Sequence, residues 1–304
     1  MRVGVSLTSG YPGLGDRAAV RALLERGRAA TVAGLDHLTL GDHHATGGGR
    51  PYVQNVPAIG RIMADWPADR SIGLLLLLPL WNPVLAAEQI GTLAAMSDAP
   101  FIVQTGIGAG ADQFAAMGAS LSTRGRVTDL AIDAIKRLLS GETVDVPELD
   151  VAGASISPRP PLPVEWWVGA GSAPRAIDRA ARAGDAWYAS PGLDGEALGS
   201  AADAYRSACE HHGRSPRIAL RRDVLVGDDH EATARLARAV IDRGYRGMDE
   251  QIIAGGVEHV AERFASFRSV GADDIVARTI AVDQQTAVRS IELLGEVRQA
   301  IMNS

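Results

Sequence analysis

Cysteine is nearly absent from this chain of 304 residues, which contains Cys209 alone and therefore cannot form an intramolecular disulfide. Long apolar runs are absent too, because the longest, Leu74 to Leu78, is far shorter than the roughly 20 residues of a membrane-spanning helix. The formal net charge is -6, and no arginine or lysine run interrupts the mixture of both signs. We therefore expect neither nucleic acid nor a membrane as a partner.

The composition is that of a globular protein with one large core, since 46% of the residues are hydrophobic and 22% are charged. A barrel of alternating strands and helices takes about 250 residues, so we expect a single domain over residues 1–304. The chain enters a strand pattern at Met1 without a basic segment, an apolar stretch and a cleavage site. This start predicts a cytoplasmic protein.

Short β-rich runs alternate with longer helical patterns along the chain, which is typical of parallel strands joined by helical crossovers. Eight such strands close a barrel, so the sequence predicts an α/β fold, the (β/α)8 TIM barrel. The helical pattern lapses over residues 141–162, where several prolines occur, and we interpret this segment as an insertion over the barrel mouth. The predicted strands cover residues 3–7, 36–40, 72–78, 101–105, 164–168, 186–189, 218–226 and 274–277.

The loops that follow barrel strands gather at one mouth, which is where active sites of such barrels lie. Two imidazoles and a carboxylate follow the second predicted strand, in the run Asp42-His43-His44. Residues 79–81, 106–110, 169–172 and 187–191 would converge on the same mouth. That convergence favours a functional role for the histidines over simple exposure.

Two other kinds of site are less well supported by the residues. Side chains next to each other on extended backbone point to opposite faces, so His43 and His44 are a poor pair of ligands for one metal ion. Ser172 lacks the spacing of the strained turn that activates a nucleophilic serine in hydrolases.

The loop over residues 169–172 has instead the features of an anion-binding site. It joins a strand to a helix that opens at Pro174, and proline suits the first helical turn, whose free N–H groups attract phosphate. Gly106, Gly108 and Gly110 form a second glycine loop. Two such loops at one mouth predict a phosphorylated cofactor.

In these motifs the chain resembles the bacterial luciferase-like superfamily, whose members are barrel enzymes that use FMN or the deazaflavin coenzyme F-420. The resemblance spans nearly the whole chain, and the order of its motifs makes it specific. The matching segments cover residues 33–36, 41–44, 51–53, 78–83, 87–89, 106–110, 114–118, 158–160, 168–172, 183–187 and 271–276.

The resemblance implies an oxidoreductase with a flavin-type cofactor, either FMN or coenzyme F-420, acting on a small molecule. It implies His43 as the catalytic residue and a non-prolyl cis peptide bond near Leu75-Leu76, facing the cofactor ring. A flavin or F-420 reductase and a homodimer are implied as well. Substrate contacts are expected from His44, Trp81 and Trp187, and cofactor contacts from Asp42, Leu75, Leu76, Gly106, Gly108, Gly110, Gly169, Ala170, Gly171 and Ser172.

The chain departs from two kinds of family member at residues that those members use for catalysis, so neither light emission nor sugar-phosphate dehydrogenation is implied. Bacterial luciferase carries a reactive cysteine and an arginine where this chain has Gly108 and Ala109. Sugar-phosphate dehydrogenases that use F-420 carry a glutamate near the position of Ala111 and Asp112. A metal-dependent hydrolase and a non-catalytic flavin-binding subunit are the alternatives to a flavin-type enzyme.

Overall fold

The computed structural model describes residues 1–47, 51–245, 251–280 and 282–303. Its strands are β1 (Arg2–Leu7), β2 (His37–Leu40), β3 (Ser71–Leu77), β4 (Ile102–Gly106), β5 (Val144–Val146), β6 (Val151–Ala154), β7 (Glu165–Ala170), β8 (Ala186–Ala189), β9 (Ile218–Val226), β10 (Ile253–Gly255) and β11 (Ala272–Thr279). Its α-helices are α1 (Asp16–Val32), α2 (Asn55–Met63), α3 (Pro83–Ala94), α4 (Ala111–Ala116), α5 (Arg124–Ser140), α6 (Pro174–Ala183), α7 (Gly195–His211), α8 (His230–Ile241), α9 (Val257–Ser266) and α10 (Gln284–Met302).

Eight of these strands close a parallel barrel in the order β1, β2, β3, β4, β7, β8, β9 and β11, and β11 pairs again with β1. Helices lie between successive barrel strands, so the predicted (β/α)8 barrel is confirmed. Each predicted strand overlaps one of these eight, because both the apolar runs and their flanking turn residues were visible in the sequence.

Apolar side chains occupy two layers, as the alternation along a strand requires. The larger layer lies between the barrel and its helices. A second cluster fills the barrel interior and contains Ile102, Trp167 and Tyr188, packed against Leu75. The helices face the first layer and leave the carboxyl ends of the strands to form the mouth.

The barrel end opposite the mouth is closed by an ionic network around Trp167. Arg2 and Arg217 both contact Glu165 and Asp274, at N···O distances between 2.6 and 3.3 Å. Both guanidinium groups also lie within 6 Å of the Trp167 ring centroid, at 5.9 and 5.7 Å. This network fixes the amino ends of β1, β7 and β11.

The predicted insertion lies elsewhere than expected. It leaves the carboxyl end of α5, at the barrel end opposite the mouth, and forms the antiparallel pair β5 and β6. Val144, Val146 and Val151 bury their side chains in the layer outside the barrel, and Glu148 at the hairpin tip lies 3.2 Å from Arg126 on α5. The prediction of a cover over the mouth was therefore wrong, since the hairpin packs along α5.

Within the part of the chain that the structure describes, none of the helices combines the length and apolar character needed to cross a membrane.

Candidate active site

A buried carboxylate at the carboxyl end of β2 organises the barrel mouth. Asp42 is 3% exposed, and its Oδ2 accepts hydrogen bonds from the Leu77 N–H and from Trp81 Nε1, both at 2.8 Å. Because β2 and β3 are neighbouring parallel strands, their carboxyl ends lie side by side. Asp42 therefore joins the loop after β2 to the end of β3.

The same carboxylate orients the second histidine. His44 Nε2 lies 3.1 Å from Asp42 Oδ1 and 3.2 Å from Oδ2, and the His44 side chain is only 12% exposed. Its ring packs edge-on against Trp81 at a centroid distance of 5.3 Å, and its backbone N–H donates to Gln113 Oε1 at 2.9 Å. His44 is thus held in one orientation by contacts from three elements.

His43 takes up the opposite side of the loop and is exposed. Its ring lies 4.7 Å from the Tyr52 ring, and its carbonyl oxygen accepts a hydrogen bond from Gln54 Nε2 at 3.0 Å. The structure therefore separates the two imidazoles, one turned toward the Asp42 carboxylate and one toward solvent beside an aromatic ring. His43 is the more accessible of the two to a molecule at the mouth.

The glycine loop after β4 forms the neighbouring wall. Gly108 and Gly110 have φ angles of +69° and +91°, a region in which glycine is strongly favoured. Gln113, on the short helix α4 that follows, donates from Nε2 to the Ala109 carbonyl at 3.2 Å. Since Gln113 also binds the His44 N–H, it fastens this loop to the histidine loop.

The loop after β7 leads into α6 without a side-chain cap. Ala173 is the N-cap residue and makes no capping hydrogen bond from its side chain, and Pro174 occupies the first helical position. Pro174 has no N–H and the Ala176 N–H donates to the Ala173 carbonyl at 2.9 Å, so the Arg175 N–H is the first-turn donor without a partner among the described residues. A Cβ atom added at Gly171 would meet no atom within 4 Å, so open space lies beside the loop. This arrangement fits a phosphate group.

Only one of the two leucines predicted on β3 faces the barrel interior. Leu75 packs against the interior cluster, whereas Leu76 is 1% exposed and lies in the layer under the helices. Both residues pair in regular parallel register with β4. Within the described residues the cis bond is Ser157–Pro158. The expected cis bond at Leu75-Leu76 was therefore wrong.

Of the two tryptophans predicted at the mouth, the structure places only Trp81 there. Trp187 is fully buried, donates from Nε1 to the Ala170 carbonyl at 2.9 Å and packs against Tyr205 of α7. The alternation along β8 turns Trp187 toward the helices and Tyr188 into the barrel. The prediction of Trp187 as a substrate contact was wrong for this reason.

Two polar side chains inside the barrel were missed. Thr39 and Gln104 are fully buried, and the Thr39 hydroxyl and both amide atoms of Gln104 have no hydrogen-bond partner in the described part of the chain. Buried polar groups are normally satisfied, so orphaned ones indicate a ligand or water. The next inward positions are Gly106 on β4 and Gly169 on β7, which place no side chain over Gln104. The sequence signal that could have found them is a polar residue between apolar neighbours within a predicted strand.

A charged cluster on β9 was missed as well. Asp223 Oδ1 lies 2.7 Å from Arg221 Nη2, and its Oδ2 accepts a hydrogen bond from the Tyr245 hydroxyl at 2.8 Å. Burial alone would raise the pKa of Asp223, but Arg221 and Arg278 outweigh burial and hold that pKa below its usual range. Asp223 is therefore an anion within a cationic wall of the barrel.

Comparison with known proteins identifies the family. A family model described as luciferase-like monooxygenase matches residues 1–303. The chain belongs to this family. The family predicted from the sequence motifs is therefore confirmed for this luciferase-like protein.

Individual relatives are more distant. An F-420-dependent glucose-6-phosphate dehydrogenase of Kribbella flavida is 29% identical over 204 residues, which cover 62% of this chain and 58% of that protein. Overall the matched part spans about half the length of the curated relatives.

Solved structures of similar fold cover nearly the whole luciferase-like chain. The oxygenating constituent of 3,6-diketocamphane monooxygenase from Pseudomonas putida, in complex with FMN, has a TM-score of 0.79 at 17% identity and covers 97% of this chain and 98% of its own. An F-420-dependent secondary alcohol dehydrogenase has a TM-score of 0.77 at 15% identity, with 99% and 98% covered. These names agree with the predicted enzyme class and with both predicted cofactors.

Proposed function

We propose that this protein is an FMN- or F-420-dependent oxidoreductase whose cofactor ring lies at the barrel mouth. The observation that carries the proposal is the Asp42 carboxylate, which fixes the histidine loop beside two glycine loops at neighbouring strand ends. When bound, the cofactor would supply the redox chemistry: FMN can activate oxygen, whereas the deazaflavin exchanges hydride.

The described residues fit such a cofactor. The orphaned amide of Gln104 inside the barrel offers hydrogen-bonding groups to a ligand, and the open space at Gly171 adjoins the uncapped start of α6. We propose that the ring contacts Leu75 and the 106–110 loop, and that Gly169, Ala170, Gly171 and Ser172 receive the phosphate.

The chain's own contribution to the chemistry is proton handling and orientation. We propose His43 as the catalytic residue, because it is exposed at the mouth and an imidazole can both donate and accept a proton. Asp42 and Gln113 hold the loop that carries it, and His44 and Trp81 form a packed wall beside the substrate space.

Several features of the wider proposal come from the family. The substrate is a small organic molecule, and a flavin or F-420 reductase renews the reduced cofactor. The single domain over 1–304, the homodimer and the cytoplasmic location stay predictions.

The proposal is tested by titrating the purified protein with FMN and, separately, with coenzyme F-420, followed by oxygen uptake of the reduced complex. We expect one of the two to bind. His43→Ala should keep that binding while lowering turnover about 100-fold or more, the usual contribution of a positioned general acid or base. His211→Ala, which removes an exposed imidazole at the end of α7, serves as the matched control. Unchanged turnover in His43→Ala would remove His43 from its role.

The same titration separates the alternatives. A non-catalytic subunit would bind cofactor without any turnover. A metal-dependent hydrolase would bind neither cofactor; over residues 1–47, 51–245, 251–280 and 282–303, no three histidine, cysteine or carboxylate side chains come together as a metal site.

A further inference from the structure

A surface cavity opens between the amino-terminal half of α5 and the length of α6, and four arginines line it. Its volume is about 680 Å³. We call it the arginine groove, and its lining consists of Ser122, Thr123, Gly125, Arg126, Asp129, Pro174, Arg175, Asp178, Arg179 and Arg182. Four guanidinium groups face two carboxylates, so the lining carries excess positive charge.

Two of the four arginines are paired with a carboxylate inside the groove. Arg179 is buried and holds Asp129 through two hydrogen bonds of 2.8 and 3.0 Å, and Arg182 contacts the same carboxylate at 3.0 Å. Asp178 pairs with His212 at 2.8 Å. These contacts fix the walls of the groove and leave its two remaining arginines to face solvent.

Arg126 and Arg175 are the cations available to a ligand. Arg126 is exposed, and its one ion pair, with Glu148 at 3.2 Å, joins two exposed side chains. Arg175 is exposed at the second position of α6 and makes no ion pair within the described residues. Exposed ion pairs contribute little free energy, so Arg126 can exchange Glu148 for another anion at small cost.

The groove begins next to the proposed phosphate site along the chain. Pro174 and Arg175 line it and immediately follow the loop over residues 169–172. The positive end of the α6 dipole faces the same region. Because the loop and the groove share the start of α6, an anionic chain attached to a phosphate on that loop would lie next to Arg175.

We propose that the arginine groove binds an anionic extension of the cofactor beyond its phosphate, which assigns coenzyme F-420 to this protein. FMN ends at its phosphate and offers the groove nothing. In coenzyme F-420 the phosphate is a diester that continues through a lactyl group into a chain of glutamates, whose carboxylates match Arg126 and Arg175. This inference rests on the proposed flavin-type function.

The test compares ligands that differ only in their ends. The full-length protein is titrated, by cofactor fluorescence at low and high salt, with F-420 carrying its glutamate tail, with the tail-free phosphate form, with the deazaflavin lacking phosphate, and with FMN. We expect the tailed form to bind most tightly, and added salt to remove that advantage because the groove arginines are exposed.

Variants assign the effect to the groove. The double variant Arg126→Ala/Arg175→Ala should weaken binding of the tailed form by roughly three- to tenfold and leave the tail-free form unchanged. Glu148→Gln, which removes the ion-pair partner of Arg126, should strengthen binding of the tailed form. Arg235→Ala removes an exposed arginine from α8 and is the matched control; thermal unfolding confirms that each variant is folded.

The outcomes separate this inference from the proposed function. Equal binding of tailed and tail-free forms, or binding of FMN alone, would overturn the groove assignment and leave a flavin-type enzyme. Failure of all four ligands to bind would overturn both.

Discussion

At the scale of single residues, Asp42 has the most demanding position. Its carboxylate accepts from Leu77 and Trp81 and lies against the His44 imidazole, while it is almost completely buried. Removing such an acceptor leaves buried donors without partners, and each unsatisfied group costs about 1 to 3 kcal/mol.

Asp42→Ala should therefore lower the free energy of unfolding by about 2 to 4 kcal/mol, measured by urea denaturation. Asp42→Asn keeps one acceptor oxygen and should lose less. Equal unfolding midpoints for Asp42→Ala and the wild type would show that water replaces the carboxylate.

The sequence identified Asp42, His43 and His44 as a site, because polar residues directly after a predicted strand can be recognised from the sequence alone. It did not distinguish the role of each. That Asp42 turns inward to Leu77, while His43 turns outward to Tyr52, depends on contacts with residues 9 to 35 positions away along the chain.

At the scale of elements, the turn from β7 to α6 provides a matched pair of glycines. A Cβ at Gly169 would clash with the Thr105 carbonyl oxygen on β4, whereas one at Gly171 would meet no atom within 4 Å. The first position is closed by a neighbouring strand and the second opens onto the proposed phosphate site.

Gly169→Ala should therefore destabilise the barrel by about 1 to 3 kcal/mol, the usual range for overpacking. Gly171→Ala should keep the unfolding midpoint of the wild type and weaken cofactor binding, because its methyl group enters the phosphate space. Measurement of both quantities in both variants checks the assignment. The reverse pattern would place the phosphate elsewhere.

The strands and helices were largely predictable from the sequence. The two wrong predictions about them have a common cause. The barrel strands follow from apolar runs and flanking turns. The orientation of Trp187 and the place of the 141–162 insertion depend on which face packs against α7 or α5, and periodicity over four residues of β8 does not fix a face.

At the scale of the whole molecule, the network that closes the barrel determines the response to acid. His37 is completely buried, and its Nε2 lies 3.8 Å from Asp274. Burial lowers the pKa of His37 to about 4, and the nearby Arg2 also lowers it, while Asp274 acts in the opposite direction.

An unfolded chain binds a proton at this histidine below about pH 6.5, whereas the folded chain binds it only near pH 4. The unfolded state therefore holds more protons between these values, and stability falls as the pH decreases through this window. The contribution of His37 to the loss reaches about 3 kcal/mol by pH 4.

Urea unfolding between pH 4 and 7 should show that loss in the wild type and a smaller one in His37→Gln. The variant should retain part of the pH dependence, because the pKa values of Asp36 and Asp223 are also lowered in the folded protein. Identical slopes for both proteins would show that His37 is not the group responsible.

The sequence by itself determined the alternation of strands and helices, the barrel, and the family, because these depend on local periodicity and on motifs that keep their order along the chain. Tertiary structure alone decided which side chains meet. Residues from different elements surround the Asp42 carboxylate, the Gln104 amide and the arginine groove. These residues become neighbours only when the barrel closes and brings distant parts of the chain together.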